Sequence, residues 1–306
     1  MELAKTCVLQ ITVMFILVAV GFFCGKKKMI DSKSNTVLSN FVLTVVNPTM
    51  IFMSYQADYQ PERLKNLLLS FLLSFCSFLL TIGVITVIYR KRDDDGAILE
   101  KFAGIYSNCA FMGIPLINGL YGDEGVLYLT GYVTFFNIFI WTHGCIMYSG
   151  KKDKKSILHA FTSPSVIAIA AGLLCFLLQL RLPDIITDAA NHIKNLNTPL
   201  AMIIAGVTIS GINLKNDIKN VGIYRACFLR LILSPLLFWA VFRWFDIPET
   251  VYMTVLATSA CPVATMSTMF AHRYNKNAEF SSEIFAFSTV FSAFTMPLIV
   301  LLGMYL

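Results

Sequence analysis

Long apolar stretches follow one another along nearly the whole chain, separated by short charged segments, and a chain with that pattern has few ways to fold. A helix that spans the hydrocarbon core of a bilayer needs about 20 mostly apolar residues. Ten segments meet or approach that length: Val8–Cys24, Val37–Tyr55, Leu67–Tyr89, Phe102–Leu120, Val126–Tyr148, Ser165–Leu180, Leu196–Ile212, Ile223–Phe245, Val251–Phe270 and Phe280–Tyr305. The sixth and seventh are the shortest. Composition agrees: 57% of the residues are hydrophobic and 14% are charged, against roughly 25% charged in soluble domains. One small core cannot hold that much apolar surface, so much of it must face lipid. The net charge of +6 does not point to nucleic acid, because the basic residues sit in separate short loops and form no stripe.

Those basic residues set the expected topology. Positive loops stay cytoplasmic. Alternate loops hold Lys26, Lys27, Lys28 and Lys33; Arg90, Lys91, Arg92 and Lys101; Lys151, Lys152, Lys154 and Lys155; Lys215, Lys219 and Arg225; and Arg273 with Lys276. The opposite side holds only Lys5, Arg63, Lys65, Arg181, Lys194 and Arg243. The pattern predicts a multi-pass protein of the cell (plasma) membrane with both termini non-cytoplasmic. Only Glu2 and Lys5 are charged before the first apolar run, and the lysines follow it, so the first segment reads as a retained helix and not a cleaved signal. The longest loop, from about Arg181 to Asn195, has room for a small amphipathic piece, and no loop is long enough for a separate soluble domain. The cysteines (Cys7, Cys24, Cys76, Cys109, Cys145, Cys175, Cys227 and Cys261) all lie in or beside apolar runs, with no CxxC pair and no zinc spacing. They read as reduced apolar side chains. No metal site and no cofactor is expected, and any coupling ion would be a proton or sodium.

The two halves, residues 1–155 and 156–306, resemble one another. Asn47-Pro48 in the second segment is matched by Thr198-Pro199 in the seventh, and Pro115 in the fourth by Pro262 in the ninth, both at a separation of roughly 150 residues. Each half holds five helices. Five is odd, so the second half enters the membrane from the opposite face, the inverted repeat common among transporters. The fourth segment reads Tyr106-Ser107-Asn108-Cys109-Ala110-Phe111-Met112-Gly113-Ile114-Pro115-Leu116, and the ninth Thr258-Ser259-Ala260-Cys261-Pro262-Val263-Ala264-Thr265. A helix-interior proline removes a hydrogen bond and clashes with the carbonyl four residues earlier. Gly113, Pro115 and Pro262 are therefore the expected helix breaks. Interrupted helices at depth survive only inside protein or beside a wet cavity, and their N-termini suit an anion.

Asn108 is the leading binding candidate, since its amide donates two hydrogen bonds. Ser107, Ser259 and Thr265 add small polar groups near the breaks. Asn47 and Asn137 fit a ligand or an interhelical hydrogen bond equally well. Three ionisable residues fall inside apolar spans: Glu283, Arg230 and His143. Such residues are functional by default. Glu283, Arg230 and His143 are candidates for proton or ion coupling, and Arg230 also for neutralising an anion. Each also has a plainer reading, respectively as an interfacial carboxylate, a satisfied polar side chain and a snorkelling cation.

The run Asn108 to Gly122, centred on Met112-Gly113-Ile114-Pro115-Leu116, resembles the auxin efflux carrier family, which includes the plant PIN-FORMED transporters. Phe270-Ala271-His272-Arg273-Tyr274-Asn275, the later Pro297-Leu298 and Asn47-Pro48 are also similar. The chain lacks the long central loop of many plant members and is more similar to compact bacterial members associated with carboxylates such as malate or malonate. The resemblance implies an all-α fold shared with bile-acid symporters and sodium/proton antiporters: ten transmembrane helices, two inverted five-helix repeats, helices 4 and 9 crossing where each is broken, and a transport domain that moves against a scaffold like an elevator. It also implies substrate binding at Asn108, a crossing at Pro115 and Pro262, and a homodimer. The expected function is secondary transport of a small organic anion. The alternative is a membrane receptor that binds a carboxylate without flux. An enzyme is not expected, since neither H-E-x-x-H nor G-x-S-x-G occurs and His143, His159, His192 and His272 are scattered.

The topology is open to a direct test. In a cysteine-depleted background, Arg63→Cys is expected to react with a membrane-impermeant thiol reagent in intact cells, and Lys27→Cys only after the cells are opened.

Overall fold

The computed structural model describes residues 2–92, 94–150, 158, 161–212 and 219–304. Lys151, Lys152, Lys154, Lys155, Lys215, His159 and Tyr305 lie outside the described residues. The described architecture is helical: α1 (Glu2–Lys26), α2 (Ser32–Ser54), α3 (Pro61–Ile88), α4 (Asp95–Ile105), α5 (Cys109–Ser149), α6 (Pro164–Leu177), α7 (Asp184–Lys194), α8 (Asn197–Ser210), α9 (Val221–Phe242), α10 (Glu249–Ser259), α11 (Met266–Arg273) and α12 (Ala278–Met304). Among the described residues the sole β-type pairing is between Ser107 and Val263.

The first helix shows why the chain needs lipid. Cys7, Ile11, Met14 and Val18 form one buried stripe at helical spacing. Leu9, Val13, Ile16, Val20 and Phe23 form a second stripe that is equally apolar yet exposed, up to 65% at Phe23. A surface helix in water carries a polar outer face, and one that is apolar all round sits in a core or a membrane. Six helices of the described residues are long and apolar enough to cross a bilayer: α1, α2, α3, α5, α9 and α12. The sixth and seventh expected spans are short here as well, at 14 residues each in α6 and α8. Between them the Arg181–Asn195 loop forms α7, an amphipathic helix with no buried residue.

Aspartates cap the charged ends. Asp31 accepts from Ser34 N at 2.7 Å at the start of α2, and Asp94 accepts from Ala97 N at 3.2 Å at the start of α4. The Ser34 hydrogen bond holds the Asp31 carboxyl below the usual carboxylate range, and Arg92 does the same for Asp94. Their contribution is present above that range and fades as pH falls through the lowered values.

Prolines shape the long helices in an unexpected way. Wide π turns at Val42–Val46, Cys109–Gly113 and Leu229–Leu233 directly precede Pro48, Pro115 and Pro235. A π turn inserts one extra residue. The insertion gives room for a ring that would otherwise collide with the carbonyl four residues back, so all three helices continue past their prolines, and at Gly113 and Pro115 the helix continues where the sequence predicts a break. The long α5 instead changes direction at Gly122, whose φ of 61° and ψ of −150° lie in a region open essentially to glycine alone.

Glycine also fixes the tightest contact between helices. α1 lies against α8 so closely that a Cβ on Gly21 would sit 2.2 Å from the Ile203 carbonyl oxygen, and one on Gly206 2.0 Å from the Val18 oxygen. Small residues at i and i+4, here Gly21 and Gly25, let backbones approach in membranes. Gly206→Leu is expected to lower the thermal unfolding midpoint of the detergent-solubilised protein, at a cost of more than the usual 1–3 kcal/mol for overpacking because backbone must move. Gly83→Leu, with nothing within 4 Å of the new Cβ, is expected to leave the midpoint unchanged.

Candidate functional site

Two helices stop short at matching places. α4 ends at Ile105 and α10 at Ser259, and each is followed by a non-helical stretch before α5 and α11 begin. The two stretches pair with each other. Asn108 N donates to Pro262 O at 2.7 Å, and Ala264 N donates to Tyr106 O at 3.0 Å. Val263 N donates to Ser288 Oγ at 3.2 Å. Backbone groups that the helices leave open therefore find partners in one another, as a water-poor setting demands. The break in the fourth segment lies at Tyr106–Asn108 and precedes Gly113 and Pro115, which sit in and just after the π turn that follows. Asn108 O accepts from both Met112 N (3.0 Å) and Gly113 N (3.2 Å), the bond pattern of that wider turn. Pro262 does lie within the ninth-segment break, and its carbonyl joins the two stretches.

The starts of α5 and α11 open onto one small cavity of about 50 Å³. Asn108, Ala110 and Phe111 line it from the first side, Ala264, Thr265 and Met266 from the second, and Asn137 and Ser165 complete its polar wall. The first N–H groups of any helix lack an intrahelical acceptor. Here two such sets converge with their partial positive charge. Asn108 is 3% exposed, and among the described residues its Nδ2 has no hydrogen-bond partner. A buried amide donor left open in this way costs about 1–3 kcal/mol, so the position favours an incoming acceptor. Asn137 Nδ2 donates to Val133 O at 2.8 Å, within its own helix.

The other candidates fall elsewhere. Ser107 Oγ donates to Tyr132 Oη at 3.3 Å, and Ser259 Oγ to Leu256 O at 2.6 Å; neither residue lines the cavity. Asn47 Oδ1 accepts from Asn197 Nδ2 at 2.5 Å, and Asn47 Nδ2 donates to Ala110 O at 3.4 Å. It ties α2 to α8 and to the start of α5. His143 Nδ1 meets the Tyr106 hydroxyl at 2.9 Å. Arg230, 1% exposed, donates to Gly104 O (3.1 Å), Ile105 O (2.8 Å) and Ser259 O. Its guanidinium thus meets backbone at the breaks and does not line the cavity. Glu283 is buried in the wall of a separate cavity of about 480 Å³, near the buried Glu100, which accepts from Arg225 Nε at 2.9 Å and Nη2 at 2.8 Å.

Asn197, Ser165 and Tyr132 escaped the sequence reading. Asn197 left a trace there, because it precedes the Thr198-Pro199 pair matched to Asn47-Pro48, and a register one residue different sets Asn197 against Asn47. Ser165 and Tyr132 left none.

Helices apolar on both faces, with paired helix breaks beside a small cavity whose mostly apolar lining includes Asn108, Asn137, Ser165 and Thr265, define a multi-pass integral membrane protein. Residues 6–300 match the membrane transport protein family, and the chain belongs to that family, the auxin efflux carriers that its sequence resembles. An uncharacterized transporter of Methanocaldococcus jannaschii is 22% identical over 302 residues, covering 94% of this chain and 96% of its own. Another, from Methanothermobacter thermautotrophicus, is 22% identical over 289 residues, covering 92% and 94%. The protein is a membrane transporter.

The Asn47–Asn197 bond is measurable on its own. A double-mutant cycle of Asn47→Ala and Asn197→Ala is expected to give a coupling of about 0.6 kcal/mol in unfolding free energy, the average for polar pairs between membrane helices, and no more than about 1.7 kcal/mol.

Proposed function

We propose that the chain is a secondary transporter of small organic anions, carboxylates such as malate, malonate or auxin-like acids, working by elevator-like alternating access. In this reading it sits in the plasma membrane with both termini outside, residues 1–155 and 156–306 are inverted five-helix repeats, and substrate binds where the broken fourth and ninth segments cross. One observation carries the reading: two helix N-termini and the unpaired Asn108 amide converge on one buried cavity. A carboxylate supplies the acceptors that these donors lack, and the helix dipoles favour its charge. Thr265, Asn137 and Ser165 then contribute the polar part of its wall, while Ser259 and Asn47 hold the surrounding backbone and Ser107 meets the Tyr132 hydroxyl. The 150-residue separation of the Asn47–Asn197 pair supports the repeat.

The cavity is small. At about 50 Å³ it has room for one or two waters, each with a share of about 30 Å³ in the liquid, so a dicarboxylate enters only when the walls separate. Alternating access supplies such a movement. Moving one anionic charge across the membrane is worth about 2.3 kcal/mol per 100 mV. An interior-negative potential therefore drives export unaided, and uptake requires a coupled proton or sodium ion.

Purified protein in liposomes is expected to carry labelled malonate. Asn108→Ala is expected to cut that flux about tenfold to a hundredfold, the loss of a hydrogen bond to a charged group worth about 1.5–3 kcal/mol, with an unchanged elution profile. Undiminished flux in folded Asn108→Ala would remove the assigned site. Carboxylate binding with no flux in the wild type would favour a receptor.

A further inference from the structure

Arg230 stands apart from the cavity just described, and the acceptors of its guanidinium are backbone carbonyls, with Tyr132, Cys109 and Cys261 close by. It lies in the π turn Leu229–Leu233 of α9, and its side chain is buried. Its guanidinium donates to Gly104 O at 3.1 Å and Ile105 O at 2.8 Å, the last two carbonyls of α4, and to Ser259 O, the last carbonyl of α10. Ser234 Oγ, one turn along α9, adds a second donor to Gly104 O at 2.8 Å. Tyr132, whose hydroxyl accepts from Ser107 Oγ at 3.3 Å, lies beside the guanidinium. The buried carboxylates Glu100 and Glu283 line the other cavity, whose walls do not include Arg230.

The charge arithmetic is close to balanced. Each helix C-terminus carries roughly −0.5 of an elementary charge, so two of them together present about one negative charge. A guanidinium supplies one positive charge that cannot be titrated away in a protein. Converging carbonyl oxygens of this kind are also what a hard monovalent cation binds, since oxygen dipoles replace its hydration shell. In an apolar interior, neither the oxygens nor the cation is tolerable alone.

We infer that Arg230 is a tethered cation: its guanidinium fills a cation site built by the C-termini of α4 and α10. It is a positioning residue, acting on the breaks and not on a transported solute. Filling the site permanently keeps the two broken helices joined whether or not any ion is bound.

Removing the charge opens the site. The probe is the thermal unfolding midpoint of the whole purified chain in detergent, measured in sodium chloride, dilute guanidinium chloride and choline chloride at equal ionic strength. No substrate enters this measurement, so its outcome is independent of whether anions are carried. The wild type is expected to show the same midpoint in sodium and choline. Arg230→Met and Arg230→Gln are expected to unfold at lower temperature and to regain about 2–4 °C in sodium or guanidinium over choline, the shift of a cation bound with modest affinity. Arg230→Lys, which keeps a cation, is expected to show no preference. Folded neutral variants with the same response to all three salts would overturn the inference. If neither neutral variant folds while Arg230→Lys does, the requirement for a tethered charge stands. If Arg230→Lys also fails to fold, guanidinium geometry and not charge is what the site needs, and the inference fails.

Discussion

Backbone that is not helical must find partners before it can exist among apolar helices, and the centre of this protein is organised by that demand. Two helices are interrupted, at Tyr106–Asn108 and around Pro262, and each interruption supplies the other's missing partners through Asn108 N to Pro262 O and Ala264 N to Tyr106 O. The C-terminal carbonyls that remain are taken by Arg230 and Ser234. An unmet group in this environment costs several kcal/mol, so these contacts are a condition for the breaks and not an ornament to them.

Polarity follows from the same geometry. A broken helix has two new ends, one with open N–H groups and one with open carbonyls. The carbonyl ends of α4 and α10 meet a buried guanidinium, whereas the N–H ends at α5 and α11 meet a cavity and an amide without an acceptor. The protein thus supplies its own counter-charge on one side and leaves the other electropositive. In the proposed reading, the solute supplies what the second side lacks.

Around this centre the packing is graded. α1 and α8 approach at Gly21 and Gly206 with no room for a side chain, and Asn35, Asn47, Asn197 and Thr208 link α2 to α8 by hydrogen bonds. The π turns before Pro48, Pro115 and Pro235 preserve long helices while turning their side chains. In α9 that turn is the one that carries Arg230.

Sequence alone determined the environment and the parts. Apolar runs of spanning length, the charge pattern of the loops, Asn108 and the two proline-bearing segments are local properties, readable because helix length and lipid thickness are matched. The family, too, was legible from Met112-Gly113-Ile114-Pro115-Leu116. Where the breaks fall was decided by tertiary structure. Proline predicts trouble in a helix but not its form, and Pro115 was absorbed by a π turn while the chain opened at Tyr106–Asn108, where Pro262 and Ala264 offered partners. Arg230 shows the same limit. Its charge was visible in the sequence, but its role depends on two carbonyl ends contributed by helices far away in the chain, and no local pattern records which distant backbone a side chain will meet.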